Sequence, residues 1–295
     1  MRIRGGIATR LLLVDGARIV VRAWQRRDAS VVLRADPADD EADRRCLEVA
    51  IERMRFALGV DDDYREFYDE FRRDRLVGRA VSRKPWVRPR RRPWPWEALA
   101  WAVTEQLIDS PRAAGIQRRV VWRWGPKLDH GDVSLRDVPG PEVIAGRSPA
   151  ELAATDLAPK RALALVKVAR EVATRRADLS RAESDRRLTA ITDIGPWTVQ
   201  CLGLFGRGDP DTLPAGDLAY IKLVGHLAGL GRRATEDEVR EFFAPYGEHA
   251  ALAGIYLLAG KLARLSLPPA ASARPAARGR HRRPPTAPLP AAARW

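Results

Sequence analysis

The stretch LTAITDIGPWTVQCLGLFG, residues 188–206, contains a glycine–proline pair between two apolar segments. Proline is well tolerated at the first position of a helix, because the N–H that it lacks would have no partner inside the helix. We therefore expect one helix to end near Ile191 and another to begin at Pro196. The stretch predicts two helices joined by a tight turn.

The start of the second predicted helix is a place where a phosphate could bind. Backbone N–H groups at a helix N-terminus have no partner inside the helix and lie at its positive end. We expect the N–H groups of Gly195, Trp197 and Thr198 to point outward there. Many turns between helices contain Gly-Pro only for packing, so this pattern alone leaves both interpretations open.

The chain is strongly basic. Its 295 residues carry a formal net charge of +14, and six of the positive charges are arginines in residues 268–295. Basic side chains that neutralise phosphates release condensed counterions and thereby gain affinity. We expect a nucleic acid as the partner, with an anionic membrane surface as the second choice.

The sequence contains no pattern for a membrane span or a metal centre. The N-terminal apolar run is only four residues long, and nowhere do 18 apolar residues follow one another. Cys46 and Cys201 are the only cysteines, and the four histidines lack the spacing of metal ligands. We expect no metal site built from side chains, such as zinc or an iron–sulfur cluster, and no structural disulfide. With nucleic acid as the preferred partner, we expect no membrane partner and a monomer of the cytoplasm that associates with the nucleoid.

Residues 1–81 combine strand patterns with helical patterns. The segments TRLLLV and IVVRAW are separated by an Asp-Gly turn, which is a strong hairpin signal, and SVVLRA follows them. The next two segments, DEADRRCLEVAIERMRFALGV and YREFYDEFRRDRL, have apolar residues at helical spacing. We predict a small α+β domain for this part of the chain.

Residues 82–95 form a basic segment interrupted by prolines, with Trp86 and Trp94 among them. Since proline interrupts both helix and sheet, we predict an extended linker. The segment is either a solvated connector or a strap that contacts phosphates, and its composition favours neither.

From Trp96 onward the pattern is almost entirely helical. WEALAWAVTEQLI has two apolar stripes, RATEDEVREFF begins with a capping box from Thr235 to Glu238, and a last helix extends to about Leu265. We predict an α+β protein overall, in which an all-α domain of residues 96–267 follows the N-terminal domain. Residues 268–295, rich in proline, alanine and arginine, are predicted to be disordered.

The stretch IGPWTVQCLGLFGRGDPDTLPAGDLAYIK, residues 194–222, resembles the helix-hairpin-helix signature of the DNA glycosylase superfamily. In that family a Gly/Pro-rich loop after the hairpin ends in a catalytic aspartate, and Asp217 holds this place. WAVTEQLID, with Glu105 and Gln106, resembles the family's early helix, and TDLAPKRALALVKVA resembles the helix before the hairpin. With the N-terminal α+β domain added, the chain is most similar to the two-domain 3-methyladenine DNA glycosylase II enzymes.

The resemblance implies a glycosylase of base excision repair that flips out alkylated purines and hydrolyses the N-glycosidic bond. Cleavage builds positive charge on the sugar, so Asp217 would stabilise the oxocarbenium-like state or align the attacking water. A ring-alkylated purine is already cationic, so one carboxylate can suffice. Asp217 could also cap the helix that follows it, and the two roles are compatible.

Two positions depart from the family pattern. Trp197 stands where bifunctional members carry a Schiff-base lysine, so a lyase step through this position is excluded. Asp193 stands where the family often has the first hairpin glycine, and its charge would repel a phosphate unless the side chain turns away or caps the turn. The family's hairpin commonly holds a monovalent cation through backbone carbonyls, and we expect no other cofactor.

The resemblance also indicates how damaged double-stranded DNA would be held. The hairpin backbone at Gly195, Pro196 and Thr198 would contact the DNA. The base pocket is predicted to contain Trp197, with Cys201 one turn later as a small spacer. Tyr256 lies where relatives carry a pocket aromatic, but a core position in the last helix is equally compatible.

Leu107 and Ile108 are candidates for a wedge that fills the gap left by the flipped base, as apolar residues do in proteins that bend DNA. Core packing is the default interpretation for both residues.

Two other functions stay open. The chain could act on a different lesion, such as uracil or a deaminated purine, or it could be a helix-hairpin-helix protein that only binds DNA. Asp217 argues against the second alternative. Nothing in the sequence separates the lesions.

Overall fold

The computed structural model describes residues 1–130 and 133–260, which divide into two compact units. One unit contains residues 1–25, 31–62 and 88–212, and the other contains residues 26–30, 63–87 and the described part of residues 213–295. The predicted disordered segment 268–295 and the end of the predicted last helix lie outside the described residues. The domain boundaries placed at residues 81, 95 and 267 stay predictions.

The described residues form six strands and thirteen α-helices. The strands are β1 (Arg2–Arg4), β2 (Ile7–Val14), β3 (Ala17–Gln25), β4 (Val31–Pro37), β5 (Lys127–His130) and β6 (Val133–Arg136). The helices are α1 (Arg44–Leu58), α2 (Arg65–Phe71), α3 (Val77–Arg83), α4 (Pro95–Glu105), α5 (Ser110–Trp124), α6 (Pro141–Ala145), α7 (Pro149–Ala153), α8 (Pro159–Ala173), α9 (Asp185–Thr189), α10 (Pro196–Leu202), α11 (Leu218–Leu227), α12 (Glu236–Phe243) and α13 (Ala250–Ala259). Shorter 3-10 segments cover Ala182–Ser184 and Ala244–His249, and a π-helical segment covers Gly203–Arg207.

The first unit opens with an antiparallel sheet in the order β1-β2-β3-β4. The predicted hairpin is confirmed: Asp15 and Gly16 have φ values of 49° and 91°, as a two-residue turn of this type requires. The predicted helix after the sheet is also confirmed as α1. Its N-cap is Asp43, whose side chain accepts a hydrogen bond from the N–H of Cys46. Apolar residues of β2, β3 and α1 form one core.

The helices of the first unit share a second core, built mainly from α4, α5 and α8. Its residues include Leu99, Val103 and Leu165, all buried. The expected two-sided burial of α4 is confirmed, because every residue from Trp96 to Thr104 is buried. The short pair β5–β6, absent from the sequence prediction, adds a two-stranded sheet to the helical part.

A buried ionic cluster in the first unit ties β2 to the start of α4. The guanidinium of Arg10 contacts the carboxylates of Glu97 and Asp137, and all three side chains are largely buried. Asp137 also accepts a hydrogen bond from the N–H of Leu13 at 3.0 Å. Burial raises the pKa of Asp137, against the opposing effect of Arg10. The beginning of α4 is thereby fixed on the sheet.

The π-helical segment lies directly against α4. A Cβ atom added at Gly206 would lie 2.9 Å from the Cβ of Ala98 and 3.0 Å from the Cα of Pro95, so only glycine allows this approach. The N–H of Arg92 also donates to the carbonyl of Phe205 at 2.7 Å. Because α10 runs into this segment, its C-terminal end is held on the first turn of α4.

The second unit is helical and has its own core of Phe67, Val77, Tyr220, Phe243 and Tyr256 with their neighbours. The helix predicted for YREFYDEFRRDRL is present as α2 but is shorter than that stretch, because α2 ends at Phe71 and the next helix, α3, begins only at Val77. The break occurs at Asp74, whose carboxylate accepts hydrogen bonds from the N–H groups of Leu76 and Val77. An aspartate side chain that bonds to backbone N–H groups two and three residues later competes with continuation of the helix before it.

The basic segment around residue 84 is held by specific contacts in each unit. Lys84 Nζ donates to the carbonyl of Ala259 at 2.8 Å, at the C-terminal end of α13. In the first unit, Arg91 forms an ion pair of 2.7 Å with Asp62. Lys84 and Arg91 therefore have structural partners, which favours the connector interpretation for these two residues. In residues 1–130 and 133–260, no helix has the length and apolarity needed to cross a membrane.

Candidate functional site

The predicted pair of helices with a tight turn is present as α9, the turn 190–195, and α10. Pro196 is the first residue of α10, and Gly195 is its N-cap in extended conformation. Asp193 has a φ of 69°, in the left-handed region where glycine is most favourable and aspartate is tolerated better than most residues. The turn therefore explains why a glycine suits this position and why aspartate can replace it.

The backbone of the turn is closed by its own hydrogen bonds. The N–H of Ile194 donates to the carbonyl of Ile191, and the N–H of Thr198 donates to the carbonyl of Gly195, both at 3.0 Å. The expectation that the Thr198 N–H points outward is therefore corrected, because this group closes the first turn of α10. DNA contact through Gly195, Pro196 and Thr198 stays a prediction.

The side chain of Gln106 forms two hydrogen bonds that hold the turn in place. Its Nε2 amide donates to the carbonyl of Asp193 at 2.9 Å and to the hydroxyl of Thr198 at 3.0 Å. Because Thr198 is 1% exposed, this second bond satisfies a buried hydroxyl. Gln106 follows the last residue of α4, so one side chain fixes the hairpin against that helix. The resemblance had placed Gln106 in an early helix, but nothing in the sequence alone indicated this contact.

Leu107 lies beside Gln106, and it differs sharply from its next neighbour. Its side chain is 96% exposed and its φ is 56°, whereas Ile108 packs against the helical core. The core interpretation is thus right for Ile108 and wrong for Leu107. A leucine in the left-handed region costs about 1–2 kcal/mol, and its exposure gives no compensating burial. Such a position points to a function outside the folded core.

Asp217 is the N-cap of α11 in the second unit. Its carboxylate accepts a hydrogen bond from the N–H of Ala219 at 2.7 Å, and its own N–H donates to the carbonyl of Pro214 at 2.8 Å. The side chain is partly buried. The capping role is confirmed. The catalytic role stays a prediction, and this geometry permits it because the cap hydrogen bond fixes the position of the carboxylate.

The three predicted pocket residues differ in their surroundings. Trp197 is partly buried and Cys201 is buried one turn later on α10, both in the first unit. In the second unit, Tyr256 is fully buried and stacks on Phe67 with ring centroids 5.5 Å apart. The Tyr256 hydroxyl shares a 2.9 Å hydrogen bond with the Tyr68 hydroxyl. This packing favours the core interpretation for Tyr256 and leaves the pocket role of Trp197 and Cys201 as a prediction.

The predicted monovalent cation would be bound by backbone carbonyl groups of the turn. Those of Ile191, Asp193 and Gly195 each accept a hydrogen bond from the protein. A carbonyl oxygen has two lone pairs, so these bonds are compatible with a cation as a further partner. The cation stays a prediction.

Relatives in sequence are DNA repair proteins. The chain is 26% identical over 206 residues to a DNA-3-methyladenine glycosylase of Bacillus subtilis, covering 67% of each chain. It is 29% identical over 192 residues to the probable bifunctional transcriptional activator/DNA repair enzyme AlkA of Mycobacterium tuberculosis, covering 64% of this chain and 38% of that one. The similarity thus spans two thirds of the first relative's length and less than half of the second's. No protein-family model matches the chain.

Solved structures show the same fold. A 3-methyladenine DNA-glycosylase from Archaeoglobus fulgidus aligns over 88% of this chain and 89% of its own, with a TM-score of 0.76 and 20% identity. A Clostridium acetobutylicum 8-oxoguanine glycosylase/lyase in complex with double-stranded DNA aligns over 85% and 86%, with a TM-score of 0.67 and 18% identity. The predicted fold class and the resemblance to helix-hairpin-helix DNA glycosylases, with proximity to 3-methyladenine glycosylases, are confirmed.

Proposed function

We propose that this chain is a monofunctional DNA glycosylase of base excision repair that removes alkylated purines of the 3-methyladenine type. The curated relatives and the solved structures named above support the enzyme class and the lesion class. The partner is double-stranded DNA that carries damaged bases. The protein acts as a monomer in the cytoplasm, at the nucleoid.

The observation that carries this proposal is the arrangement around Gln106. Its amide holds the hairpin turn at Asp193 and Thr198, and the next residue, Leu107, is an almost fully exposed leucine in a strained conformation. A protein that extracts a base from a duplex needs a fixed backbone anchor and an apolar group to occupy the emptied stack. The hairpin supplies the anchor, and Leu107 supplies the apolar group.

Base removal then proceeds by hydrolysis. The bond between the sugar anomeric carbon and the base nitrogen breaks, and its electron pair leaves with the cationic purine, which becomes neutral. Water adds to the oxocarbenium-like sugar and loses a proton. Asp217 stabilises the developing positive charge or orients that water. Trp197 has no amine that could form an imine with the sugar, so no lyase step occurs through this position.

Oxidised purines are a second candidate lesion class, suggested by one observation. An 8-oxoguanine glycosylase/lyase shares the fold over most of both chains. An uncharged oxidised purine is a poorer leaving group than an alkylated cation, so its removal would place a heavier demand on catalysis. We therefore rank oxidised, deaminated and uracil lesions after alkylated purines.

The test uses the purified full chain and its Asp217→Asn variant on methylated duplex DNA. Chromatography would measure free 3-methyladenine and 7-methylguanine. Release by the wild type and not by the variant supports the proposal. If the wild type binds DNA but releases neither base, the alkylated-purine assignment is wrong, and duplexes containing uracil, hypoxanthine or 8-oxoguanine identify the lesion. Binding without release from any of them would indicate a non-catalytic protein.

A further inference from the structure

A cluster of exposed arginines lies in the second unit, on α3 and the turn before it. We call Arg73, Arg75, Arg79 and Arg83 the arginine surface. They line an open surface depression of about 420 Å³, together with Arg72 and a single acidic residue, Asp74. All four side chains are exposed. The surface therefore concentrates positive charge within eleven residues of the chain.

Among the described residues, the arginine surface has no carboxylate partners, whereas three other arginines of this unit do. Arg65 pairs with Asp63, Arg232 with Glu238, and Arg240 with Glu236 and Asp237. Within residues 1–130 and 133–260, no ion pair forms at Arg73, Arg75, Arg79 or Arg83. Arg72 is excluded from the set because it lies 4.0 Å from Asp69.

The one acidic residue in the depression is committed to the fold. Asp74 Oδ1 accepts hydrogen bonds from the N–H groups of Leu76 and Val77, at 2.8 Å and 2.7 Å, and contacts the Tyr246 hydroxyl at 3.3 Å. Its carboxylate is therefore held at the start of α3 by three partners, none of which is an arginine. Four guanidinium groups with no ion pair among the described residues remain to attract an anion.

We propose that the arginine surface binds the phosphate backbone of duplex DNA, as a contact in addition to the hairpin. This inference rests on the proposed function, which supplies DNA as the partner. Guanidinium groups form two parallel hydrogen bonds with a phosphate, and they do so without regard to base sequence. Arg79 and Arg83 lie one helical turn apart, about 6 Å along the axis of α3, so they can contact neighbouring phosphates.

The number of arginines favours a polyanion over a small anion. A single phosphate is satisfied by one or two bidentate arginines, whereas four unpaired arginines over eleven residues match several phosphates in a row. The arginine surface therefore adds affinity for undamaged DNA as well as for damaged DNA, which would help the protein stay on the duplex during its search.

The test compares two fourfold variants of the full chain. The first is Arg73→Gln/Arg75→Gln/Arg79→Gln/Arg83→Gln. The control, Arg44→Gln/Arg65→Gln/Arg232→Gln/Arg240→Gln, removes the same charge from exposed arginines that have carboxylate partners. Fluorescence anisotropy would measure binding to an undamaged duplex over a series of salt concentrations. Each lost phosphate contact lowers the slope of log K against log salt by about 0.9.

We expect the first variant to lose about two to four units of slope and to bind at least tenfold more weakly at low salt, beyond any change in the control. Equal slopes for the two variants would overturn the proposal. If the first variant does not fold, as judged by circular dichroism, Arg79→Gln alone should lower the slope by about 0.9 and Arg65→Gln should not.

Failure of this inference can be told apart from failure of the proposed function, because this binding test uses undamaged DNA and measures no base release. A reduced slope in a protein that releases no base would sustain the arginine surface and refute the glycosylase assignment. An unchanged slope in a protein that releases methylated purines would do the reverse.

Discussion

The helices α10 and α11 begin within 22 residues of each other in the sequence, and their N-termini are capped in opposite ways. The N-cap of α10 is Gly195, which has no side chain to offer. The N-cap of α11 is Asp217, whose carboxylate accepts a hydrogen bond from the N–H of Ala219. No side chain therefore caps the start of α10, whereas a carboxylate caps the start of α11.

This difference bears on what each helix start can bind. A helix N-terminus attracts anions because its N–H groups and the helix dipole are positive. The glycine cap leaves that attraction available to a phosphate, while the aspartate cap uses it to hold a carboxylate in place. If the proposed function is right, the same physical property would serve DNA contact at α10 and charge stabilisation at α11.

The largest effect is expected for Asp217→Asn, which keeps a side chain that can cap α11 but removes its carboxylate. Asparagine caps helices as well as aspartate does, so thermal stability should change by less than about 1 kcal/mol. Loss of the carboxylate should lower the single-turnover rate of base release by about 10²- to 10³-fold, as the loss of one electrostatic stabiliser typically does. Single-turnover assays on methylated duplex DNA and thermal melts measure the two effects.

Asp109→Asn is the matched control, since Asp109 caps α5 through the N–H of Arg112. It should leave base release unchanged. An active Asp217→Asn variant would reduce Asp217 to a structural cap and remove the contrast between the two helix starts.

The second-largest effect is expected for Gln106→Ala, which removes the side-chain amide that holds the turn before α10. Both hydrogen bonds to the turn are lost, and the buried Thr198 hydroxyl loses a donor. We expect about 1–3 kcal/mol of destabilisation and DNA binding weakened about tenfold, a binding change of about 1.4 kcal/mol. Denaturant melts and anisotropy with an abasic duplex measure these.

Gln117→Ala provides the control, because Gln117 also makes two side-chain hydrogen bonds, to Thr104 and Glu105. Gln117→Ala should lower the free energy of unfolding, and its affinity for DNA should stay close to that of the wild type. Equal binding defects in the two variants would mean that Gln106 acts through general stability and not through the hairpin.

The elements that the sequence predicted correctly are those with local signals. The Asp15–Gly16 turn, the capping box at Thr235 and the proline start of α10 each depend on residues within a few positions. The pair β5–β6 was missed because each strand has only four residues. Strands this short carry too little alternation to be distinguished from a loop.

The candidate site was predictable only in part, because its key contact is distant in the sequence. The apolar pattern of α4 continues through Leu107 and Ile108, which suggested one continuous helix. The helix ends at Glu105, and the Gln106 amide instead bonds to residues about 90 positions away. No periodicity within the helix could reveal that bond, so the exposure of Leu107 could not be predicted.

A smaller effect is expected for Leu107→Gly, which removes the exposed side chain next to Gln106. Glycine adopts a φ of 56° without strain, and the 96% exposed side chain has little packing to lose. Stability should stay within about 1 kcal/mol of the wild type. Base release from duplex DNA should slow about fivefold, equivalent to about 1 kcal/mol, and release from single strands should not slow.

The substrate comparison makes this prediction specific, because a single strand has no stack to fill. Ile108→Ala serves as the contrasting variant: its side chain packs in the core, so it should destabilise the protein and slow both substrates together. If Leu107→Gly slowed base release from duplex and single-stranded DNA equally, the wedge role of Leu107 would be contradicted.

The smallest effect is expected at Asp193, the negative charge inside the glycine-capped turn. Its side chain is exposed and its backbone is left-handed, so both asparagine and glycine fit the same conformation. Removing a charge several ångströms from a phosphate in water changes binding by about 0.5–1 kcal/mol. Asp193→Asn and Asp193→Gly should therefore bind duplex DNA about two- to fivefold more tightly at low salt, and the gain should shrink as salt screens the charge. A gain for glycine alone would assign the effect to backbone conformation, and no gain for either variant would mean that no phosphate approaches this helix start.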